Sequence, residues 1–248
     1  MIQVAPSAID TATDLFQHER VGRPAIAAVE SGAGAAVPGR SSERRMRHRE
    51  RVIYRFNRAH HRMRRIRDVI LSSLALVALL PLLVIAALAI YIEDRGPIFF
   101  CQRRVGQFER LFTMYKLRTM RLAVCGDSVS PTSGTDRRIT TVGRILRKTS
   151  IDELPQLINI IRGDMTLVGP RPEMPFIVRR YARWQRLRHL VTPGLTGLWQ
   201  IRYRSTIPLE RFEATAVDLE YIHHSSPLFD LRIIFDTAVA VIRSKGAF

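Results

Sequence analysis

At 248 residues with 46% hydrophobic content, the chain can bury a real core. That excludes a wholly disordered protein and allows one sizeable domain with appendages, or at most two small ones. A formal net charge of +17 and a pI near 11.3 call for an acidic partner: nucleic acid, a phosphate-bearing small molecule or an anionic membrane surface. Cys101 and Cys125 have no CxxC or metal-ligand spacing and read as reduced thiols in a domain facing the cytosol, and no cleavable signal pattern is read at the N-terminus.

The charge is unevenly placed. Residues 1–39 hold two arginines against four acids, mix Ala, Gly, Pro and Ser without periodicity, and form an N-terminal extension expected to be disordered. Residues 40–68 hold twelve arginines against three acids, interleaved with Tyr54, Phe56 and Ile66. Such a run is either a solvated charge face or a juxtamembrane arm drawn to anionic lipids, each base near the surface contributing ~1 kcal/mol. No recognised nucleic-acid motif accompanies it, so no nucleic-acid partner is expected.

Residues 69–92, VILSSLALVALLPLLVIAALAIYI, run 24 residues without a charge. As a helix they reach about 36 Å, enough for a bilayer core of ~30 Å. Pro81 sits at the midpoint, where it removes a backbone hydrogen bond and breaks or kinks the helix. Hydropathy by itself favours a simple span. The flanks disagree: Arg95, Arg103, Arg104, Arg110, Lys116, Arg118 and Arg121 follow as closely as the arginine arm precedes, so both ends read as cytosolic. A re-entrant helix broken at Pro81 satisfies both flanks.

Residues 93–248 read as the main domain. Gly96-Pro97 marks a turn, and IFFCQRRVG and RLFTMYKLRTM read as two strands around a turn at residues 106–110. Residues 121–136 form a polar loop, a lid or a disordered excursion, before ITTVGRILRKTS resumes order. Further on, residues 177–191 space Ile177, Tyr181, Trp184 and Val191 as an amphipathic basic helix, packed on the core or lying on a membrane interface. PGLTG from Pro193 supplies turn geometry, His223 and His224 read as ordinary residues, and residues 228–242 form another amphipathic helix. The fold class is therefore α/β and α-rich: a membrane-embedded catalytic domain with an N-terminal re-entrant hydrophobic helix and interfacial amphipathic helices.

The chemistry concentrates in SIDELPQLINIIRGDMTLVGPRP, residues 150–172. Ser150 and Glu153 match a capping box, but Pro155 would then lie inside the helix; a helix starting at Pro155 instead leaves Asp152 and Glu153 just ahead of its positive end. Adjacent carboxylates repel and need cations, and Arg144, Arg147, Lys148, Arg162 and Arg171 are at hand, together with a divalent metal. Mg²⁺ is typically held by one or two carboxylates and substrate phosphate oxygens, and an aspartate can attack phosphorus when metal and arginine neutralise the developing charge. The set fits phosphoryl transfer.

These residues also carry a resemblance. LRKTSIDELPQLINIIRGDMTLVGPRPE, preceded by FTMYKLRTM and DRRITTVGR and followed by VTPGLTGLWQ, resembles the bacterial sugar transferase family, the monotopic polyprenyl-phosphate phosphoglycosyl transferases, over roughly three-quarters of the chain. The resemblance implies transfer of a sugar-1-phosphate from a nucleotide diphosphate sugar, usually a UDP-sugar, to undecaprenyl phosphate, opening exopolysaccharide or other surface glycan synthesis. It implies Asp152 as nucleophile, Mg²⁺ as cofactor held by Asp152 and Glu153, and Arg171 as a phosphate ligand, with Lys116, Arg118, Arg144, Arg147 and Arg204 as further phosphate or nucleotide ligands. It places the protein at the bacterial inner membrane with its catalytic domain facing the cytoplasm and anionic lipids beneath it, and base rates add a homodimer. Leu80-Pro81 stands where the family has Ser-Pro, and Tyr203 where it has glycine ahead of the arginine matched by Arg204. The rival from another class is a non-catalytic basic membrane anchor or scaffold.

Overall fold

The computed structural model describes residues 62–122, 136–202 and 212–242. The N-terminal extension 1–39, residues 40–61 of the basic arm, most of the polar loop (123–135), Cys125, Tyr203 and Arg204 lie outside the described residues.

Two helices open the described chain, α1 (Arg62–Ala78) and α2 (Leu80–Glu93), bent by 58° at Leu79. The bend has a covalent cause. Leu79 N still donates to Ala75 O and Leu83 N picks up Leu79 O, but Pro81 in the first turn of α2 has no N–H for the carbonyl one turn earlier. No single helix among the described residues is long and apolar enough to cross a membrane; only the bent pair has the length and composition. Its outer surface is apolar: Ile70, Leu74, Val77, Leu80, Val84, Ile85, Leu88 and Ile92 are all exposed. The inward face is different. Asp68 is buried and accepts from the hydroxyl of Thr166, Arg65 donates to the terminal carbonyls Ile160 O and Ile161 O, and Arg64 and Arg67 reach Asp230 at 3.1 and 3.0 Å.

The hairpin read from alternation is present: β1 (Phe99–Val105) pairs antiparallel with β2 (Leu111–Leu117). The period of two puts Phe112, Met114 and Lys116 on one face of β2. Phe112 and Met114 bury against Leu157 and Ile160 of α4 (Gln156–Arg162) and against Ala75 and Leu76 of α1. Between them α3 (Thr141–Lys148) packs with α2: Leu146 meets Ala86 and Ile90, and Glu93 accepts from Thr141 N and Val142 N at 2.6 and 2.8 Å at the start of α3.

Two sequence readings are corrected. Residues 177–191 are not one amphipathic helix: α5 (Pro175–Val178) is a single turn and a 3-10 segment follows at Gln185–Leu190. Tyr181, Leu187, Arg188 and His189 are buried, so the stretch packs on the core, while Arg179, Arg180 and Arg183 stay exposed. PGLTG is not a turn either. Gly194–Thr196 forms β4, parallel to β3 (Thr166–Val168), and a side chain at Gly194 would collide with the backbone of Gly169. Then α6 (Leu198–Arg202), α7 (Phe212–His224) and α8 (Pro227–Ile242) close over β3, with Val168, Leu198, Tyr221, Ile222 and Ile233 forming their common core. Helix-rich with two small sheets, the chain is α/β.

Candidate active site

The capping box does not form. Ser150 adopts a left-handed conformation (φ 57°) with no side-chain cap, and Ile151–Glu153 make a 3-10 turn that leads through Pro155 into α4. This is the register that leaves both carboxylates ahead of the helix. Asp152 and Glu153 are each buried, at 7% and 8% exposure.

What holds the turn in place is Asn159, one turn into α4 and fully buried. Its amide accepts from Tyr115 N at 3.1 Å and donates to Thr113 O at 2.7 Å and to Asp164 at 3.1 Å, so it pairs with the backbone edge of β2 as a neighbouring strand would. That docking brings Lys116 to Glu153. Lys116 Nζ and Arg171 Nη2 both donate to the same oxygen, Glu153 Oε1, at 2.8 Å each. Burial pulls the Lys116 ammonium below its ordinary 10.5, as does the charge of Arg171, against the opposing pull of Glu153 and Asp152. Burial also works against charge on Arg171, but Glu153's charge and hydrogen bond outweigh it and raise that guanidinium.

Arg147, on the last turn of α3, donates to Thr119 Oγ1 at 2.9 Å; burial lowers its pKa, and Asp152 is the strongest of the charges that counter this. Asp152 therefore sits in the field of Lys116, Arg147 and Arg171. Arg144 lies exposed on α3. Arg118 is committed elsewhere: it is buried, donates to Asp94 O and pairs with the Asp94 carboxylate at 3.7 Å, closing the chain after α2. Pro81 stands at the break between α1 and α2, away from these groups in sequence and role.

The segment that carries Arg171 is fixed by its carbonyls. Pro170 and Pro172 have no N–H, so a strand ladder cannot hold this stretch in the usual way. Gly194 N donates to Pro170 O at 2.9 Å, Arg188 to Arg171 O at 2.8 Å, Arg104 to Pro172 O at 3.2 Å and Val105 N to Glu173 O at 2.9 Å. Two of these four donors are buried arginines. Arg188, 1% exposed, also bonds Tyr181 Oη at 2.9 Å and pairs with Asp218 at 2.6 Å. Burial pushes the Asp218 carboxyl up to about 6 despite the adjoining guanidinium, and the Tyr181 hydroxyl to about 12.

Sequence reasoning missed Arg104, Arg188 and Asp218. One signal was available: Ala214, Asp218, Tyr221 and Ile222 share a helical face, so a carboxylate at 218 among buried apolar positions demands a buried cation.

Residues 59–244 match the model of the bacterial sugar transferase family, and the chain belongs to that family. It is 42% identical over 191 residues to an undecaprenyl-phosphate glucose phosphotransferase of Komagataeibacter xylinus, covering 73% of this chain and 36% of that relative. It is 40% identical over 193 residues to a UDP-glucose:undecaprenyl-phosphate glucose-1-phosphate transferase of Caulobacter vibrioides, covering 75% and 72%. A third relative, exopolysaccharide production protein PSS of Rhizobium leguminosarum bv. phaseoli, is 38% identical over 195 residues and is covered over 98% of its length. The chain thus spans about a third of the Komagataeibacter relative and nearly all of the Rhizobium one.

Two outcomes follow. The Lys116 ammonium titrates below 10.5 by NMR, and lower still in Glu153→Gln, which removes the nearest charge favouring protonation. Arg188→Leu strands Asp218 in the interior and destabilises the fold by about 3–5 kcal/mol in chemical denaturation, while the double variant Arg188→Leu, Asp218→Leu recovers part of the loss.

Proposed function

We propose that this protein transfers a sugar-1-phosphate, glucose-1-phosphate on the names of its relatives, from a UDP-sugar to undecaprenyl phosphate, as the first lipid-linked step of exopolysaccharide synthesis. One observation supports this reading above the others: a buried carboxylate pair, Asp152 and Glu153, gathered with Lys116, Arg147 and Arg171, three cations that suit a phosphate-bearing substrate.

The reaction runs in two displacements. Asp152 attacks the sugar-bearing phosphorus, the bond from that phosphorus to the bridging oxygen breaks, and UMP leaves with the electron pair. An oxygen of polyprenyl phosphate then attacks the same phosphorus, the bond to Asp152 breaks and the carboxylate is restored. Arg171 and Arg147 neutralise charge building on the phosphoryl oxygens, and Lys116 joins Arg171 in holding Glu153 Oε1. Glu153 and Arg171 hold each other in place, so the cation is oriented before substrate arrives.

Among the described residues no group of three or more His, Cys, Asp or Glu is gathered for a metal. The adjacent Asp152 and Glu153 offer two hard oxygen donors at most, which fits Mg²⁺ held largely by substrate phosphates and does not fit an all-protein cage. When bound, Mg²⁺ supplies charge neutralisation on the diphosphate.

A lipid acceptor needs the site at a membrane surface. The exposed apolar face of α1 and α2, the break at Pro81 and the exposed Leu228, Leu231 and Phe235 on one side of α8 support a re-entrant hairpin and an interfacial helix, with the catalytic domain on the cytoplasmic face of the inner membrane and anionic lipids against the basic arm. A scaffold would bury apolar surface as well, but it has no use for a paired carboxylate site among buried cations.

Asp152→Asn, which keeps the shape and removes the nucleophile, is expected to lower turnover by about 10³-fold or more with Mg²⁺ present, read as UMP release from UDP-glucose with undecaprenyl phosphate. Full turnover in that variant overturns the mechanism.

A further inference from the structure

Directly beside Glu153 lies a cavity of about 250 Å³ that the two displacements leave unused. Its walls come from four places: Leu154 after the 3-10 turn, Leu167 and Leu195 of the β3–β4 pair, Ile201 of α6, and Ile234 and Val241 of α8. Glu153 and the exposed Lys148 also line it, as do Thr237, Ala240 and Val241 toward the end of α8.

Most of the wall is apolar; of its polar groups, some already have partners, while the buried Gln200 carbonyl oxygen has none. Thr196 and Thr237 bond each other through their hydroxyls at 2.7 Å, and Thr237 also donates to Ile233 O at 2.7 Å. Gln200 gives its amide N–H to Leu195 O at 2.8 Å, and its carbonyl oxygen is shielded from solvent. A nucleobase or a sugar placed here would lose its hydrogen bonds to water and find few in return, which is costly. Hydrocarbon loses nothing. The lining therefore selects against both halves of the donor and for an apolar chain.

The register of α8 continues the argument. Ile234, Thr237 and Val241 face the cavity, and Leu228, Leu231 and Phe235, on another face of the helix, are exposed at 80%, 60% and 67%. A chain leaving the cavity past Val241, itself 37% exposed, comes out beside this apolar stripe. A phosphate attached to the chain can meet Lys148, which lines the cavity together with Glu153, the residue adjoining Asp152. By the benchmark that a 150 Å³ apolar cavity holds benzene, the space suits roughly ten carbons, about two isoprene units.

We propose that this cavity is the acceptor subsite, taking the first two isoprene units of the polyprenyl phosphate so that its phosphate is delivered to the phosphorus on Asp152. The assignment rests on the function proposed above. It makes the enzyme sensitive to acceptor length over the first ten carbons and indifferent to length after that, apart from partitioning into membrane or detergent.

The test uses the full-length protein in one fixed detergent, UDP-glucose as donor, and five-, ten- and fifteen-carbon prenyl phosphates as acceptors below the detergent-partitioning range. In the wild type kcat/KM rises about tenfold or more from five to ten carbons and then levels off. Ala240→Phe, which fills the cavity from α8, removes that step. Ile234→Ala, which enlarges it, moves the plateau toward fifteen carbons, and decides the matter if the larger side chain prevents folding. A wild-type profile that is flat from five to ten carbons overturns the assignment, as does a profile unchanged in both variants. If undecaprenyl phosphate itself fails to support UMP release in the wild type, the parent reading fails instead; if it succeeds and none of the three short acceptors does, the assignment alone is overturned, so the two failures are distinct.

Discussion

Glu153 Oε1 shared between Lys116 and Arg171 is the constraint on which the site depends. It joins three stretches: the second strand of the hairpin, the 3-10 turn before α4 and the proline-flanked segment at residues 169–173. Buried ion pairs are poor sources of net stability, because desolvation offsets most of the attraction, but breaking one leaves an uncompensated charge at a cost of several kcal/mol. The triad therefore acts chiefly to fix geometry. Two adjacent carboxylates, Asp152 and Glu153, are thereby held in the field of the same cations.

The rest of the core is arranged to keep those three stretches in register. Asn159 bonds the edge of β2 and so sets where the dyad lies along the strand. Arg104 and Arg188, working from opposite sides, hold the carbonyls of a segment whose prolines cannot donate. Arg104, Arg118 and Arg188 thus lie inside the fold, serving backbone carbonyls and carboxylates. Arg65 does the same at the end of α4, tying the foot of α1 to the helix that follows the dyad. The apolar hairpin and the catalytic turn are in this way parts of one packed unit.

The sequence made legible whatever depended on local pattern. Period-two alternation located the hairpin, Pro81 located the break between α1 and α2, and the crowding of carboxylates with arginines and prolines located the site. What it hid were features decided by distant partners. The stretch from Ile177 to Val191 has the spacing of an amphipathic helix, yet Arg188 turns inward to Asp218 and Arg171 O, and that pull leaves only a short helical turn and a 3-10 segment. Gly194 looked like turn chemistry because glycine is common there; its actual reason is the close approach of Gly169 across a parallel strand pair. Ser150 fitted a capping motif, but Pro155 set the start of the helix and left the serine in a left-handed bend. In the first two cases a local preference yielded to a buried contact far away in the chain, and in the third to the covalent constraint of a nearby proline.

The central claim is that Asp152 becomes covalently bonded to phosphorus during turnover. Mass spectrometry of the protein after incubation with UDP-glucose and Mg²⁺, with polyprenyl phosphate withheld, tests it most directly. The account predicts a gain of one hexose phosphate, mapped to the peptide containing Asp152 and lost when polyprenyl phosphate is added. An unmodified protein that forms UMP only when the lipid is present would contradict it and favour direct transfer between the two bound substrates.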